Sequence, residues 1–90
     1  MLFVTLGNVR AGTDRERIAR RMGWSYPPGV KVVAEYWLQT DAPKLIVVTE
    51  ADDVALFIAA TSQWDDVFSL TVVPAVTAEQ GMAIAKQLMK

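Results

Sequence analysis

A carboxylate and an indole alternate within the segment VVAEYWLQT, at residues 32–40. Glu35 and Trp37 stand two residues apart, so in a strand both side chains point to one face and Tyr36 points to the other. A carboxylate beside an aromatic wall can bind a ligand or transfer a proton. The pair could instead lie between two copies of the chain, with Glu35 hydrogen-bonded there, and this interpretation is favoured since buried polar groups are normally satisfied.

Several aromatic residues could line a pocket between the helices and the sheet, although aromatic side chains equally close a small core. Such a pocket would bind a small organic molecule. With Glu35 or Glu50 as a general base, it could also support a cofactor-free oxygenase or isomerase. The candidates for the pocket wall are Trp24, Tyr26, Tyr36, Trp37 and Trp64.

The composition removes several classes of chemistry. The 90 residues include no cysteine and no histidine, so the usual ligands of zinc, haem and iron–sulfur clusters are missing, and we expect neither a metal site nor a cofactor. Histidine general bases and His-based catalytic triads are excluded for the same reason. No glycine-rich phosphate loop is present, because VRAGTD holds a single glycine.

Five arginines cluster near the N-terminus and could form a patch for anions or nucleic acid. Asp14 and Glu16 are interleaved among them, and the whole chain has a net charge of −1. We therefore expect the solvated face of a short helix rather than a nucleic-acid interface. Asp65 and Asp66 are expected in a helix-to-strand turn, not in a metal site. The arginines are Arg10, Arg15, Arg17, Arg20 and Arg21.

Hydrophobic periodicity predicts one α+β domain over residues 1–90. The order β-α-β-β-α-β with an extra C-terminal helix is that of a ferredoxin-like fold, with two helices covering one face of a four-stranded antiparallel sheet. Capping boxes are expected at Thr13 with Glu16 and at Thr77 with Gln80. Strands are expected at 2–8, 30–39, 44–50 and 67–76, and helices at 11–23, 51–64 and 77–90.

The strand faces suggest that the sheet side without helices is not solvated. We assign Leu2/Val4/Leu6, Ala34/Tyr36/Leu38 and Phe68/Leu70/Val72 to the helix side. The open side then carries one row of the third strand together with Phe3, Thr5, Val33, Glu35, Trp37, Ser69, Thr71 and Val73. That mixture is too apolar for a solvated sheet, and 52% of the chain is hydrophobic. A homodimer formed through the open sheet face is therefore expected.

The segment from VVAEYWLQT through LIVVTEADD to VVPAVTAEQ resembles the dimeric α/β-barrel superfamily, and more narrowly small bacterial and archaeal domains akin to the GYD domain. The marks are the Tyr36–Trp37 pair, the apolar third strand followed by EADD, and the closing VPAVT. The resemblance implies a dimeric barrel. The superfamily includes cofactor-free monooxygenases, haem enzymes, lactone isomerases and ligand-sensing domains; its haem branch uses a histidine that this chain lacks.

The expected function is a homodimeric module that binds a small ligand or serves regulation, without an assigned reaction. The cofactor-free enzyme is the alternative, and an enclosed cavity of roughly 300 Å3 or more with Glu35 or Glu50 opening into it would favour it. No apolar run is long enough to span a bilayer and the start lacks a basic region typical of signal peptides, so we expect a cytoplasmic protein without membrane or nucleic-acid partners.

Overall fold

The structure is a computed structural model that describes residues 1–89. Four strands and three helices follow in the order β1-α1-β2-β3-α2-β4-α3, as the sequence predicts. The strands are β1 Leu2–Val9, β2 Lys31–Trp37, β3 Leu45–Glu50 and β4 Phe68–Ala75. The helices are α1 Asp14–Gly23, α2 Leu56–Ser62 and α3 Ala78–Leu88.

The strands form one antiparallel sheet in the order β2-β3-β1-β4, and α1 and α2 cover one of its faces. This arrangement is the ferredoxin-like α+β fold with an added C-terminal helix. β2 and β4 are the edge strands, which agrees with Pro74 in β4, because proline has no N–H to donate to a second neighbour. A β-bulge interrupts the pairing of β2 with β3 at Val33.

The core lies between the sheet and the two covering helices. Phe3 of β1 packs against Phe57 of α2 with 5.0 Å between the ring centroids. A second cluster joins Trp64 to Phe68, at 5.8 Å, and to Val67. The aromatic rings thus fix α2 onto the sheet, and Trp24, directly after α1, packs against the second cluster.

Two strands present the face opposite to the one expected. Phe3 of β1 is buried under α2, and the register sets Glu35 of β2 beside Val47 on the same covered face. Tyr36 consequently lies on the uncovered face, 59% exposed. The assignment was right for β4 and wrong for β1 and β2. Placed on the wrong side were Leu2, Val4, Leu6, Ala34 and Tyr36, and likewise Phe3, Thr5, Glu35 and Trp37.

The uncovered face is apolar at its centre and polar at its ends. One row across the sheet is wholly aliphatic, and the next combines Tyr36 and Thr71 with Ile46 and Leu6. The outer rows contain Lys31 and Glu50 at one end and Asn8 and Ser69 at the other. Because both faces of the sheet are apolar, alternation along a strand cannot identify which face the helices cover. The residues of this face, called the open face below, include Leu2, Val4, Leu6, Ala34, Tyr36, Ile46, Val48, Thr71 and Val73.

Gly7 leaves room on the covered face for side chains of the two neighbouring strands. A Cβ at this position would lie 3.1 Å from Leu70 and 3.2 Å from both Leu45 and Phe68. Neighbours that close would have to move apart to admit a methyl group. Glycine in β1 is therefore explained by packing on the covered face.

The helix ends match the sequence signals unevenly. Thr77 and Gln80 form the predicted capping box of α3. Thr13 precedes α1, but its hydroxyl donates to the carbonyl of Arg10 and accepts from Arg17, so the predicted box with Glu16 is absent. Asp53 accepts from the amide of Ala55 in the turn before α2 and does not cap the helix itself.

α3 stands apart from the core. None of its residues is buried, and the two core clusters contain no residue of α3. The described chain extends 52 Å along its longest axis, with a radius of gyration of 15.1 Å against about 12 Å for a compact chain of this length. The apolar side chains of α3 are accordingly exposed; they are Met82, Ile84, Leu88 and Met89.

Within residues 1–89 we find no helix with the length and apolar character needed to cross a membrane.

Candidate functional site

A pocket of about 110 Å3 lies between α1, α2 and the covered face of the sheet. Its wall is mainly apolar and aromatic, and all three tryptophans of the chain take part in it. Trp24 and Trp64 meet edge to face, with centroids 5.6 Å apart, and Trp37 reaches the pocket from the edge strand β2. Such an apolar concavity with a few polar groups is the usual form of a small-molecule site.

Glu35 is the acceptor at the centre of the polar wall. Trp37 donates its indole N–H to one carboxylate oxygen at 2.8 Å, and the hydroxyl of Tyr26 donates to the other. Arg21 adds two longer contacts, at 3.3 and 3.4 Å. The carboxylate is 16% exposed and bonded to three neighbours, so it is both sheltered from water and satisfied.

These contacts determine the protonation states at the pocket. Burial acts to raise the pKa of Glu35, but the hydrogen bonds from Tyr26, Trp37 and Arg21 oppose burial and leave this pKa lowered. Burial and the adjacent Glu35 carboxylate both raise the pKa of Tyr26. At neutral pH Glu35 is therefore an anion and Tyr26 a neutral phenol that donates to it.

Three of the four arginines of α1 face aromatic rings, which corrects the expected solvated basic face, whereas Arg15 is exposed as expected. The guanidinium of Arg17 lies 5.6 Å from the ring centre of Phe68, and the whole residue is 9% exposed. Arg21 lies over Trp24 at 5.9 Å and over Tyr26 at 5.8 Å. Guanidinium groups stack well on aromatic faces, so Arg17 is part of the core, and Arg21, whose side chain is 36% exposed, lies at its edge.

The apolar residues of α1 are largely exposed as a consequence. Ile18 and Met22 have the spacing of an apolar helical stripe, but Ile18 is 47% exposed at the pocket wall and Met22 is 83% exposed. Arg17 and Arg21 are four residues apart and Trp24 follows three residues later, so these three share one helical stripe. That spacing is the sequence signal that could have identified them.

Arg20 ties α1 to the turn between α2 and β4. It donates to both oxygens of Asp66, at 2.7 and 2.8 Å, and to Glu16 at 2.6 Å. Its guanidinium also covers the ring of Trp64 at 5.4 Å. Asp65 and Asp66 lie in the turn, as expected, and this forked contact fixes the outer wall of the pocket.

The sequence-derived candidates separate into two groups. Glu35, Trp24, Trp37 and Trp64 line the pocket, together with Tyr26. Tyr36 and Glu50 do not line it. Tyr36 projects from the open face, and Glu50 is an exposed residue at the end of β3. The residues that sequence reasoning missed are Arg17, Arg21 and Lys44.

The pocket meets only one of the two conditions that would favour a cofactor-free enzyme. Glu35 borders the pocket as the enzyme hypothesis requires, but 110 Å3 is well below the roughly 300 Å3 at which ligand pockets usually begin. Among residues 1–89, no three acidic side chains converge as a metal site would need.

The chain belongs to the DUF3303 family, described as a domain of unknown function. The family model matches residues 1–89, which is the full described length. Neither the search of curated proteins nor the search of solved structures returned a significant match.

Proposed function

We propose that the protein is a homodimeric small-ligand-binding module of the dimeric α/β-barrel type, related in form to GYD-like domains. The observation that carries the ligand-binding part is the pocket, where three indoles and a satisfied Glu35 surround an unfilled apolar space. A closed apolar cavity of roughly 150 Å3 holds benzene, and this pocket of about 110 Å3 is smaller but open on one side, so it limits a ligand to about one ring that extends partly through the opening.

A binding module is favoured over the cofactor-free enzyme by the state of Glu35. A general base works best with a pKa near the working pH, whereas three donors keep the pKa of Glu35 low. Its acceptor positions are also engaged by Tyr26, Trp37 and Arg21, which leaves little capacity to take a proton from a substrate.

The binding test uses the tryptophans as reporters, since all three line the pocket. A metabolite panel is screened by thermal shift, and positives are checked through the three indole N–H signals in proton–nitrogen NMR. We expect a small ligand to move these signals in the wild type. Ala60→Leu should abolish the shifts because Ala60 lines the pocket.

Ala59→Leu is the matched control, because Ala59 is the exposed neighbour on the same helix and does not line the pocket. It should bind as the wild type does. Equal binding by Ala60→Leu and Ala59→Leu would place the ligand elsewhere and contradict the proposed site.

The homodimer is supported by the amount of surface that the single chain leaves accessible. The accessible surface is 6347 Å2, whereas a compact chain of 9.9 kDa exposes about 5,200 Å2. The excess of about 1,100 Å2 is on the scale of the roughly 800 Å2 that each partner buries in a standard interface. The open face and the apolar side of α3 are the surfaces that a second copy would cover.

Sedimentation equilibrium tests the dimer directly. A dimer twice the chain mass of 9.9 kDa is expected at micromolar concentration. A single 9.9 kDa species across the accessible concentration range would contradict it.

A further inference from the structure

We propose that the pocket selects a small organic anion, with an apolar body of about one ring and a single carboxylate-like group that binds beside Lys44. This inference rests on the ligand-binding function proposed above and names the chemical class of the ligand. It follows from the charges on the pocket wall, from the position of their counter-ions, and from the way the aromatic faces are already occupied.

The wall has an excess of positive charge. Three cations and one carboxylate line the pocket, and these are Arg17, Arg21, Lys44 and Glu35. Glu35 is matched by Arg21 at 3.3 Å. Arg17 and Lys44 have no counter-ion on the pocket wall itself, and a partly desolvated cation is stabilised by an opposite charge nearby.

The counter-ion of Arg17 lies outside the pocket. Arg17 pairs with Asp14, but the Arg17 side chain is 10% exposed and that of Asp14 is 84% exposed. Water screens the outward carboxylate much more than the inward guanidinium. The pair therefore leaves a positive field on the pocket side.

Lys44 has an uncommitted ammonium group. Its backbone is fixed, because its N–H donates to Gly7 at 2.8 Å and its carbonyl accepts from Leu38 at 2.6 Å. Its half-buried side chain makes no ion pair or hydrogen bond with any side chain of residues 1–89. An ammonium on an apolar wall is suited to a ligand carboxylate.

A cationic ligand is disfavoured by the same arrangement. Aromatic faces attract cations, but those of Trp24, Trp64 and Phe68 already carry the guanidinium groups of α1. An added ammonium would lie among like charges. A neutral ligand would fill the apolar space without forming an ion pair with the ammonium group of Lys44.

Three probes of similar shape test the proposal: benzoate, benzyl alcohol and benzylammonium. Each is titrated into the 90-residue protein while the tryptophan indole signals are followed by NMR. We expect benzoate to bind about tenfold tighter than benzyl alcohol, as one charge-assisted contact would give, and benzylammonium to bind most weakly.

Lys44→Gln and Arg15→Gln together distinguish a direct contact between Lys44 and the ligand from an effect of the protein's net charge. Each removes one positive charge, but Arg15 is exposed on α1 and does not line the pocket. Lys44→Gln should lose most of the tenfold preference for benzoate and bind benzyl alcohol as before. Arg15→Gln should keep the preference.

The outcomes distinguish this inference from the proposed function. If benzyl alcohol or benzylammonium binds as tightly as benzoate, or if Lys44→Gln keeps the preference, the anion class is wrong while the binding site stands. If no probe moves the indole signals, and the metabolite panel also yields no ligand, both proposals fail.

Discussion

Thr49 has a hydroxyl group that the fold buries without a partner. The residue is 1% exposed on β3, opposite Phe3, and its Oγ1 has no hydrogen bond in the described chain. An unpaired buried hydroxyl costs about 1–3 kcal/mol. Thr49→Val keeps the shape and removes the polar atom, so we expect the free energy of unfolding, measured with urea, to rise by about 1 kcal/mol.

Thr77→Val provides the opposite case, because the Thr77 hydroxyl accepts from Gln80 and caps α3. Its loss should lower the stability by about 1 kcal/mol. If both valine variants lost stability to a similar extent, the Thr49 hydroxyl would have to be hydrogen-bonded after all.

Glu35 couples the stability of the fold to pH. Its pKa is lowered in the folded state, so its contribution is complete above the unfolded value of about 4.3 and is lost as the pH falls through the folded pKa. Glu35→Gln should destabilise the protein by about 1–2 kcal/mol at pH 7, the scale of a charged hydrogen bond. Urea unfolding between pH 7 and pH 3 should show a shallower acid slope in this variant.

Asp41→Asn is the control for this experiment, because Asp41 is an exposed carboxylate in the turn between β2 and β3. It should keep the stability at pH 7. Glu35→Gln should also keep the oligomeric state of the wild type, since Glu35 lies on the covered face. A wild-type acid slope in Glu35→Gln would mean that the contacts of Glu35 do not stabilise its charged form.

At the scale of elements, the sequence was sufficient to predict the order of strands and helices but not the direction that β1, β2 and α1 face. Alternate residues of a strand point to opposite faces of the sheet. The sequence identifies the face that the helices bury only when the residues of the other face are polar. In β1 the alternatives were Leu2/Val4/Leu6 and Phe3/Thr5/Gly7, and the more aliphatic set lies on the open face. Aromatic packing of Phe3 on Phe57 decided the outcome.

The same limitation explains which parts of the site were foreseen. The indoles and Glu35 are conspicuous by residue type, and they do lie at the pocket. Arg17 and Arg21 were assigned to solvent because charge normally indicates exposure. Their burial depends on ring faces contributed by Phe68 and by the loop after α1, contacts that exist only once the chain has folded.

α3 has an apolar side that its own chain does not cover. Ile84 and Leu88 share this side of the helix and are 52% and 81% exposed. In the proposed dimer they pack against the second copy. Leu88→Glu should therefore weaken the dimer at least tenfold, measured by sedimentation equilibrium, because a buried unpaired carboxylate is costly.

Ala83→Glu is the matched control for α3. Ala83 is exposed on the opposite side of the helix, and glutamate is a good helix former. This variant should dimerise like the wild type. A dimer unaffected by Leu88→Glu would show that α3 lies outside the interface, whatever the role of the open face.

At the scale of the whole molecule, the pocket and the proposed dimer interface lie on opposite faces of the sheet. The pocket is on the covered face and the proposed interface is on the open face. The apolar character of both faces is thus consistent with one structure, in which helices cover one face and a second copy covers the other. Ligand binding and dimerisation can consequently be tested with separate variants.

If folding and dimerisation are coupled, the thermal unfolding midpoint must depend on protein concentration. A tenfold increase in concentration favours a folded dimer by about 1.4 kcal/mol, which corresponds to a rise of about 3 °C. Val73→Lys should abolish that dependence and lower the midpoint, because Val73 lies on the open face and is 39% exposed in the single chain. A lysine there would be buried in the proposed apolar interface.

Val54→Lys makes the same change away from the open face. Val54 precedes α2 and is 50% exposed, so a lysine there stays in water and the dependence on concentration should persist. Differential scanning calorimetry over a hundredfold range of concentration measures both variants. The dimer would be contradicted if the wild-type midpoint stayed constant over that range and sedimentation showed a monomer. The open face would then be exposed to water in the folded monomer, and the excess accessible surface of about 1,100 Å2 would belong to that monomer.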